Sequence, residues 1–304
     1  MCERVSVRVP ATGANLGCLF DCGAIALSLY LDIRVTPRAD GDVVVRYQGV
    51  NADRVAVGAD NLIARIMCET LRGWGHTGGF ELDIENQIPV GAGVGSSAAA
   101  IVGALAGSHL LAGRTLCDEE IVSLATRREG HPDNVAAAWH GGFCVAVETN
   151  GRVLSYSCPV PESLGLVLVE PDYAMPTQEA RKVLPDQYSR ADAVHNLQRA
   201  VMLTAQLFSG TVELHRCFFD DRWHQSFRAH LMPGLEEVLD LKHPCLLGVW
   251  LSGAGPSLLA FTCSDAATVG ELIRNTLAAK HVKARVYLVP PDNRGAKGWM
   301  QAET

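Results

Sequence analysis

Between residues 89 and 97 the chain reads Pro89-Val90-Gly91-Ala92-Gly93-Val94-Gly95-Ser96-Ser97, and small apolar residues follow as far as Ala112. Three glycines at alternate positions free the backbone to curl and to approach a ligand closely. The stretch from Ser96 to Ala112 is rich in Ala and Leu, which predicts a helix; it is apolar nearly all round, which predicts a buried one. A bend that feeds a helix start offers unpaired N–H groups and the positive end of the helix dipole, and so attracts phosphate. Ser96 or Ser97 is expected to cap the helix, with one hydroxyl free to ligate Mg²⁺ beside the phosphates. Taken alone, the segment reads equally well as a glycine-rich turn before a capped helix.

Other phosphate-binding signatures are absent. No Gly-Lys-Ser/Thr occurs, so this is not a Walker loop. Gly91 and Gly93 begin a dinucleotide fingerprint, but Ser96 stands at its third glycine. The His-Arg-Asp and Asp-Phe-Gly elements of protein kinases are missing.

Around this segment the patterning predicts an α+β protein rather than an alternating parallel sheet. Strands are expected at 4–9, 27–35, 43–47 and 80–84, with helices at 61–73 and 118–127. Asn150-Gly151 predicts a hairpin joining 142–148 to 152–157. The second half reads as a strand at 164–170 and helical residues from 177 to about 240, broken near Gly210, Asp220-Asp221 and Pro233. Strands at 247–252 and 257–262, a helix at 265–279 and a strand at 282–289 follow. That order resembles a split βαβ sandwich with an inserted helical bundle, and it divides the chain into lobes of residues 1–155 and 156–304.

Composition narrows the function. With 48% hydrophobic and 19% charged residues among 304, the chain can bury a sizeable core, and nothing suggests disorder. A net charge of −7 argues against a nucleic-acid partner. The N-terminal residues lack the apolar core of a secretory leader, and the longest apolar stretch is too short to span a bilayer. A cytoplasmic protein with no membrane partner is therefore expected. The ten cysteines show no metal-site spacing and are read as small buried hydrophobes in a reducing compartment.

Two further glycine loops change the reading. Pro10-Ala11-Thr12-Gly13-Ala14-Asn15-Leu16-Gly17-Cys18-Leu19-Phe20-Asp21 lies near the start, and Leu251-Ser252-Gly253-Ala254-Gly255-Pro256-Ser257 lies near the end. Three such loops in this order resemble the GHMP kinase superfamily across nearly the whole chain. The segments between them are similar to the homoserine kinase family in particular. Glu129-Gly130-His131-Pro132-Asp133-Asn134-Val135-Ala136 matches a signature of that family, as do Thr177 to Pro185 and His224-Gln225-Ser226-Phe227-Arg228.

The resemblance implies a two-lobed GHMP kinase fold, with a ribosomal-protein-S5-like N-terminal lobe and a ferredoxin-like C-terminal lobe carrying inserted helices. It implies ATP and Mg²⁺, and homoserine as the small-molecule substrate; a homodimer is compatible with it. Nucleotide contacts are implied for Asn61, Pro89, Gly91, Gly93, Val94, Gly95, Ser96, Ser97, Ala98 and Ala99. Ser97 and Glu129 would hold Mg²⁺. Homoserine contacts are implied for Asn15, Asp21, His131, Asn134, Arg181, Arg228, Gly253 and Gly255. The arginines supply forks for the carboxylate, and Asp21 balances the ammonium. Asn134 stands where mevalonate kinases place an aspartate base, so no dedicated base is expected, with Asp133 as the rival. The chain departs from the family at Cys18-Leu19, where Pro-Gly is usual, and at Val94, Ala137 and Ser226-Phe227. Another GHMP kinase acting on a mevalonate-like alcohol, or a non-catalytic ligand sensor on the same fold, remain the competing readings.

Overall fold

The computed structural model describes residues 4–115, 117–210 and 213–301. A long hairpin opens the chain: β1 (Arg4–Asn15) runs antiparallel to β2 (Leu19–Arg38). Both strands extend well beyond the segments expected from the sequence. The added stretches, 10–15 and 19–26, are dominated by Ala, Gly, Thr and Cys, which carry little polar–apolar alternation. Asn15, Leu16 and Gly17 close the turn with positive φ of 73°, 35° and 76°, so the first glycine loop is the tip of this hairpin.

β3 (Val43–Gly49) pairs parallel with β4 (Gly79–Asn86), and α1 (Leu62–Gly73) makes the crossover between them. α2 (Ser96–Leu111) is buried along most of its length, as its composition predicts. It lies on the sheet beside α1, α3 (Asp118–Glu129) and α4 (Asp133–His140). A Cβ on Gly103 would sit 2.5 Å from Ile33 Cδ1, which shows how closely α2 approaches β2. α4 was not expected from the sequence. Its eight residues follow a proline, and its apolar side is mostly Ala, too short a pattern to register as a helical period.

β5 (Phe143–Thr149) and β6 (Arg152–Cys158) form the expected hairpin, and β5 pairs with β2. A second sheet has the order β10-β7-β9-β8 and is antiparallel throughout, the ferredoxin-like arrangement. It is built from β7 (Gly165–Pro171), β8 (Leu246–Leu251), β9 (Leu258–Thr262) and β10 (Ala284–Leu288), with α9 (Ala266–Ala278) packed on it. The helical insertion between β7 and β8 contains α5 (Thr177–Lys182), α6 (Arg190–Ser209), α7 (Gln225–Arg228) and α8 (Leu235–Leu239).

The last strand, β11 (Lys297–Gln301), was missed by the sequence reading. It returns to the first sheet and pairs antiparallel with β1, so the tail of the chain joins the N-terminal strands. The cysteines are less buried than expected. Cys18 and Cys144 are buried, Cys117, Cys217 and Cys263 are exposed, and Cys2 lies outside the described residues. Among the described residues no helix is long and apolar enough to cross a membrane.

Candidate active site

The three glycine loops meet. Thr12 N–H donates to Val94 O (3.1 Å), Ser252 Oγ donates to Gly93 O (2.7 Å), and Ser257 N–H donates to Ala92 O (3.1 Å). Asn15 binds the first loop to the third, its Nδ2 donating to Gly253 O at 2.9 Å, while its Oδ1 accepts from Asp21 N–H at 3.1 Å. Beside them opens a cavity of about 360 Å³. Its wall includes Asn15, Asp21, Gly91, Gly93, Gly95, Ser96, Ser97, Glu129, His131, Asp133, Asn134, Arg181, Arg228 and Gly253.

At the mouth of α2 the expected serine cap is not formed. Gly95 occupies the cap position at φ 67°, and no side chain accepts from the first turn. Ser96 and Ser97 stand one and two residues past the cap, inside the helix, and Ser97 Oγ donates to Glu129 Oε2 at 2.7 Å. The N–H groups of the first turn are therefore left for a ligand, which suits phosphate. Gly91 has φ 73° and no atom within 4 Å of where a Cβ would stand, so the bend is open on that side. Among the described residues no group of three or more His, Cys, Asp or Glu could hold a metal. The paired oxygens of Ser97 and Glu129 nonetheless fit Mg²⁺, which takes one or two protein oxygens and completes its shell with phosphate and water.

Arg181 and Arg228 reach the cavity by different routes. Arg181, on α5, is half-exposed and grips Asp21 with both prongs. That hydrogen-bonded pairing raises its pKa further. Arg228, at the end of α7, is 1% exposed. Burial, reinforced by the charge of Arg181, lowers its pKa to about 10. Its Nε donates to Ala180 O (2.9 Å), and its Nη1 donates to Gly253 O (3.0 Å) and to His224 Nδ1 (3.1 Å). Both guanidinium groups lie over the ring of Phe20, at 5.6 Å for Arg181 and 5.4 Å for Arg228.

Also in the cavity wall, Asp133 Oδ1 accepts from Asn134 N–H at 2.7 Å and stands 3.5 Å from His131 Nδ1. This partner raises the His131 pKa against the lowering effect of burial. Thr12 Oγ1 donates to Asn134 Oδ1 at 2.7 Å, which occupies the amide oxygen and leaves Nδ2 as the group that can serve a ligand.

Other expected residues are not in the cavity wall. Asn61 caps α1: its Oδ1 accepts from Ile63 N–H and Ala64 N–H, and its Nδ2 donates to Ala56 O. Val94, Ala98 and Ala99 are buried in the core, and Pro89 is buried before the bend. Gly255 supports the third loop, with its carbonyl carbon and oxygen packed against Gly93. Thr12 and Phe20 were missed as site residues, although both lie within the first loop segment. Their signal was position alone, because neither a threonine nor a phenylalanine announces a polar site.

The family model for the GHMP kinases N terminal domain matches residues 61–142. The chain is 41% identical to a homoserine kinase of Solibacter usitatus over 278 residues, 88% of each chain. It is 39% identical to a homoserine kinase of Desulfitobacterium hafniense over 96% of this chain and 99% of the other. The crystal structure of homoserine kinase from Cytophaga hutchinsonii superposes with a TM-score of 0.85 at 25% identity, covering 97% of both chains. With such similarity along nearly its whole length, the chain belongs to the homoserine kinase family of the GHMP kinases.

Proposed function

We propose that this chain transfers the γ-phosphoryl group of ATP to the side-chain oxygen of L-homoserine, giving O-phospho-L-homoserine on the way to threonine, in the cytoplasm. The observation that carries the reading is the convergence of Arg181, Arg228 and Asp21 with the open start of α2 on one cavity. An amino acid with a hydroxyl needs a cationic fork, an ammonium acceptor and a nearby phosphate seat, and this wall offers all three.

In this reading the bend at Gly91–Gly95 and the first turn of α2 hold the nucleotide's phosphates. Ser97 and Glu129 hold Mg²⁺, which when bound supplies charge neutralisation at the phosphate oxygens. Arg228 and Arg181 receive the carboxylate, and Asp21, with Asn15 and His131, receives the ammonium end. Asn134 donates from Nδ2 to the attacking hydroxyl and fixes its direction. An amide cannot serve as a base, and phosphoryl transfer through a loose transition state needs positioning and charge neutralisation more than proton abstraction; as the O–P bond forms and the bond to ADP breaks, the hydroxyl proton leaves to a phosphate oxygen or to water. Asp133 is read as the group that orients Asn134 and His131. A homodimer is part of the same reading. It is supported by the exposed apolar stripe Val194, Leu197, Val201 and Met202 along α6, which water alone is a poor partner for.

The test is ADP release with homoserine, mevalonate or shikimate as acceptor. Homoserine should give the dominant turnover. Equal or greater turnover on mevalonate would favour a different GHMP kinase, and nucleotide binding without transfer would favour a sensor.

A further inference from the structure

Arg228 has five N–H donors, and three of them are used inside the protein: Nε–H on Ala180 O and both Nη1 hydrogens, on Gly253 O and His224 Nδ1. The two on Nη2 have no acceptor among the described residues and remain for a ligand. Whether they point into the cavity depends on the groups that hold the other three. Two of those are backbone carbonyls, fixed by the loops. The third is a side chain, His224, which is 0% exposed.

The two ring nitrogens of His224 have different partners. Nε2 is 2.8 Å from Gly17 O, a group that only accepts, so Nε2 carries the hydrogen. Nδ1 is 3.1 Å from Arg228 Nη1, a group that only donates, so Nδ1 carries the lone pair. Both contacts can exist together only in the neutral Nε2–H tautomer. Burial, which lowers the histidine's pKa, agrees with a neutral ring. The backbone of the segment is locked as well: Asp221 Oδ2 accepts from His224 N–H (2.8 Å) and Gln225 N–H (2.7 Å), and Asp221 Oδ1 accepts from Asn196 Nδ2 (2.7 Å). The imidazole also stacks on Phe20, with centroids 5.1 Å apart, on the ring that both arginines share.

We propose that His224 is a positioning residue whose Nδ1 acceptor aims Arg228 at the substrate's carboxylate, the Gly17 contact serving to fix the tautomer that leaves Nδ1 free to accept. It touches neither substrate nor phosphate, and it acts on acceptor binding rather than on the transfer step. This rests on the reading of Arg228 as the carboxylate partner of homoserine.

Two substitutions separate the two nitrogens. In His224→Asn the side-chain oxygen falls near the position of Nδ1, so Arg228 keeps an acceptor while the link to Gly17 is lost. In His224→Gln the amide reaches the position of Nε2, so the Gly17 link is kept and Arg228 loses its acceptor. His224→Gln should raise the KM for homoserine at least about tenfold, with kcat and the KM for ATP within about threefold of wild type. His224→Asn should restore most of that loss. Equal effects of the two variants, or a fall in kcat with the homoserine KM unchanged, would overturn the proposal alone. Absence of homoserine-dependent turnover in the wild-type protein would overturn the parent reading, and this one with it. If neither variant folds, nitrogen-15 NMR of the wild-type histidines at neutral pH still decides. A neutral Nε2–H ring at His224 is expected, and an imidazolium or the Nδ1–H tautomer would overturn the proposal.

Discussion

Arg181 and Asp21, 160 positions apart in sequence, face each other inside the cavity as a two-pronged ion pair, Nη1 to Oδ2 at 2.9 Å and Nη2 to Oδ1 at 2.8 Å. Each is the complement of one end of a zwitterion, and here they satisfy one another. An amino acid entering the cavity can exchange this pair for two new ones, its carboxylate to the arginine and its ammonium to the aspartate. The side chains are 38% and 34% exposed, and a pair so open to water contributes only about 0–1 kcal/mol to stability. Asp21→Asn is the suitable probe because Asp21 has φ 56°, a left-handed backbone that Asn tolerates. We expect the homoserine KM to rise about tenfold or more while the melting temperature moves by only a few degrees. A lowered melting temperature with an unchanged KM would mean that the pair is merely structural.

Glu129 and Ser97 share a hydrogen bond at the exposed mouth of α2, where neither supports the core. If together they seat Mg²⁺, Glu129→Gln should lower kcat by about a hundredfold or more, the scale of removing one electrostatic stabiliser. It should also raise the Mg²⁺ concentration needed for half-maximal rate, and leave thermal unfolding unchanged. Ser97→Ala should follow in the same direction with a smaller effect. Titrating Mg²⁺ at saturating ATP makes the comparison. An unaltered Mg²⁺ dependence in Glu129→Gln would remove Glu129 from the metal site.

Much of this architecture could be read from the chain, and the exceptions share a cause. The buried helix after Gly95, the hairpin at Asn150-Gly151 and the β10-β7-β9-β8 sheet follow from apolar period and turn chemistry, which are local. What could not be read is what depends on a distant partner. β11 is a strand because β1 offers it an edge, and Asp21 is held by Arg181, which nothing in the neighbouring sequence announces. Ser97 pairs with Glu129, 32 residues on and on another helix. Asn61 illustrates the converse, since a family position read as a nucleotide contact has its side chain committed to capping its own helix.

The apolar face of α6 gives a prediction about assembly. Leu197 is 62% and Val201 58% exposed, one turn apart on the same side of the helix. If a second copy covers them, Leu197→Glu with Val201→Glu should shift the protein from dimer to monomer in light scattering, with homoserine turnover per chain changed little. A monomeric wild-type protein would contradict the homodimer.

His131 gives a pH prediction with a definite sign. Asp133, 3.5 Å away, raises its pKa above the ordinary 6.5, so the charged pair stabilises the fold fully below that value. The contribution is then lost as pH rises through the raised value. In NMR titration His131 should lose its proton above 6.5, and Asp133→Asn should bring its pKa down, since burial then acts with less opposition. The same substitution should flatten the fall in melting temperature across the neutral range. A His131 pKa unmoved by Asp133→Asn would show that the pair carries no coupling.

Gly91 and Gly95 share a left-handed backbone, φ 73° and 67°, but not an environment. A Cβ at Gly91 would meet nothing within 4 Å. Gly91→Ala should therefore cost about 1–2 kcal/mol of backbone strain, and it should chiefly raise the KM for ATP, because the methyl group enters the cavity wall. A Cβ at Gly95 would stand 1.9 Å from Thr12 Oγ1 and 3.2 Å from Asn134 Oδ1. It cannot be accommodated without breaking the 2.7 Å Thr12–Asn134 hydrogen bond, which is buried. To the same strain is added about 1–3 kcal/mol for the lost bond, and Asn134 loses the anchor that directs its Nδ2 at the acceptor. Gly95→Ala should thus unfold at a clearly lower temperature than Gly91→Ala and lose kcat by at least about tenfold, with a smaller effect on the KM for ATP. Paired thermal unfolding and steady-state kinetics measure both. If Gly95→Ala kept kcat while its stability fell, Asn134 would not need Thr12 to act, and the role given to its amide would be wrong.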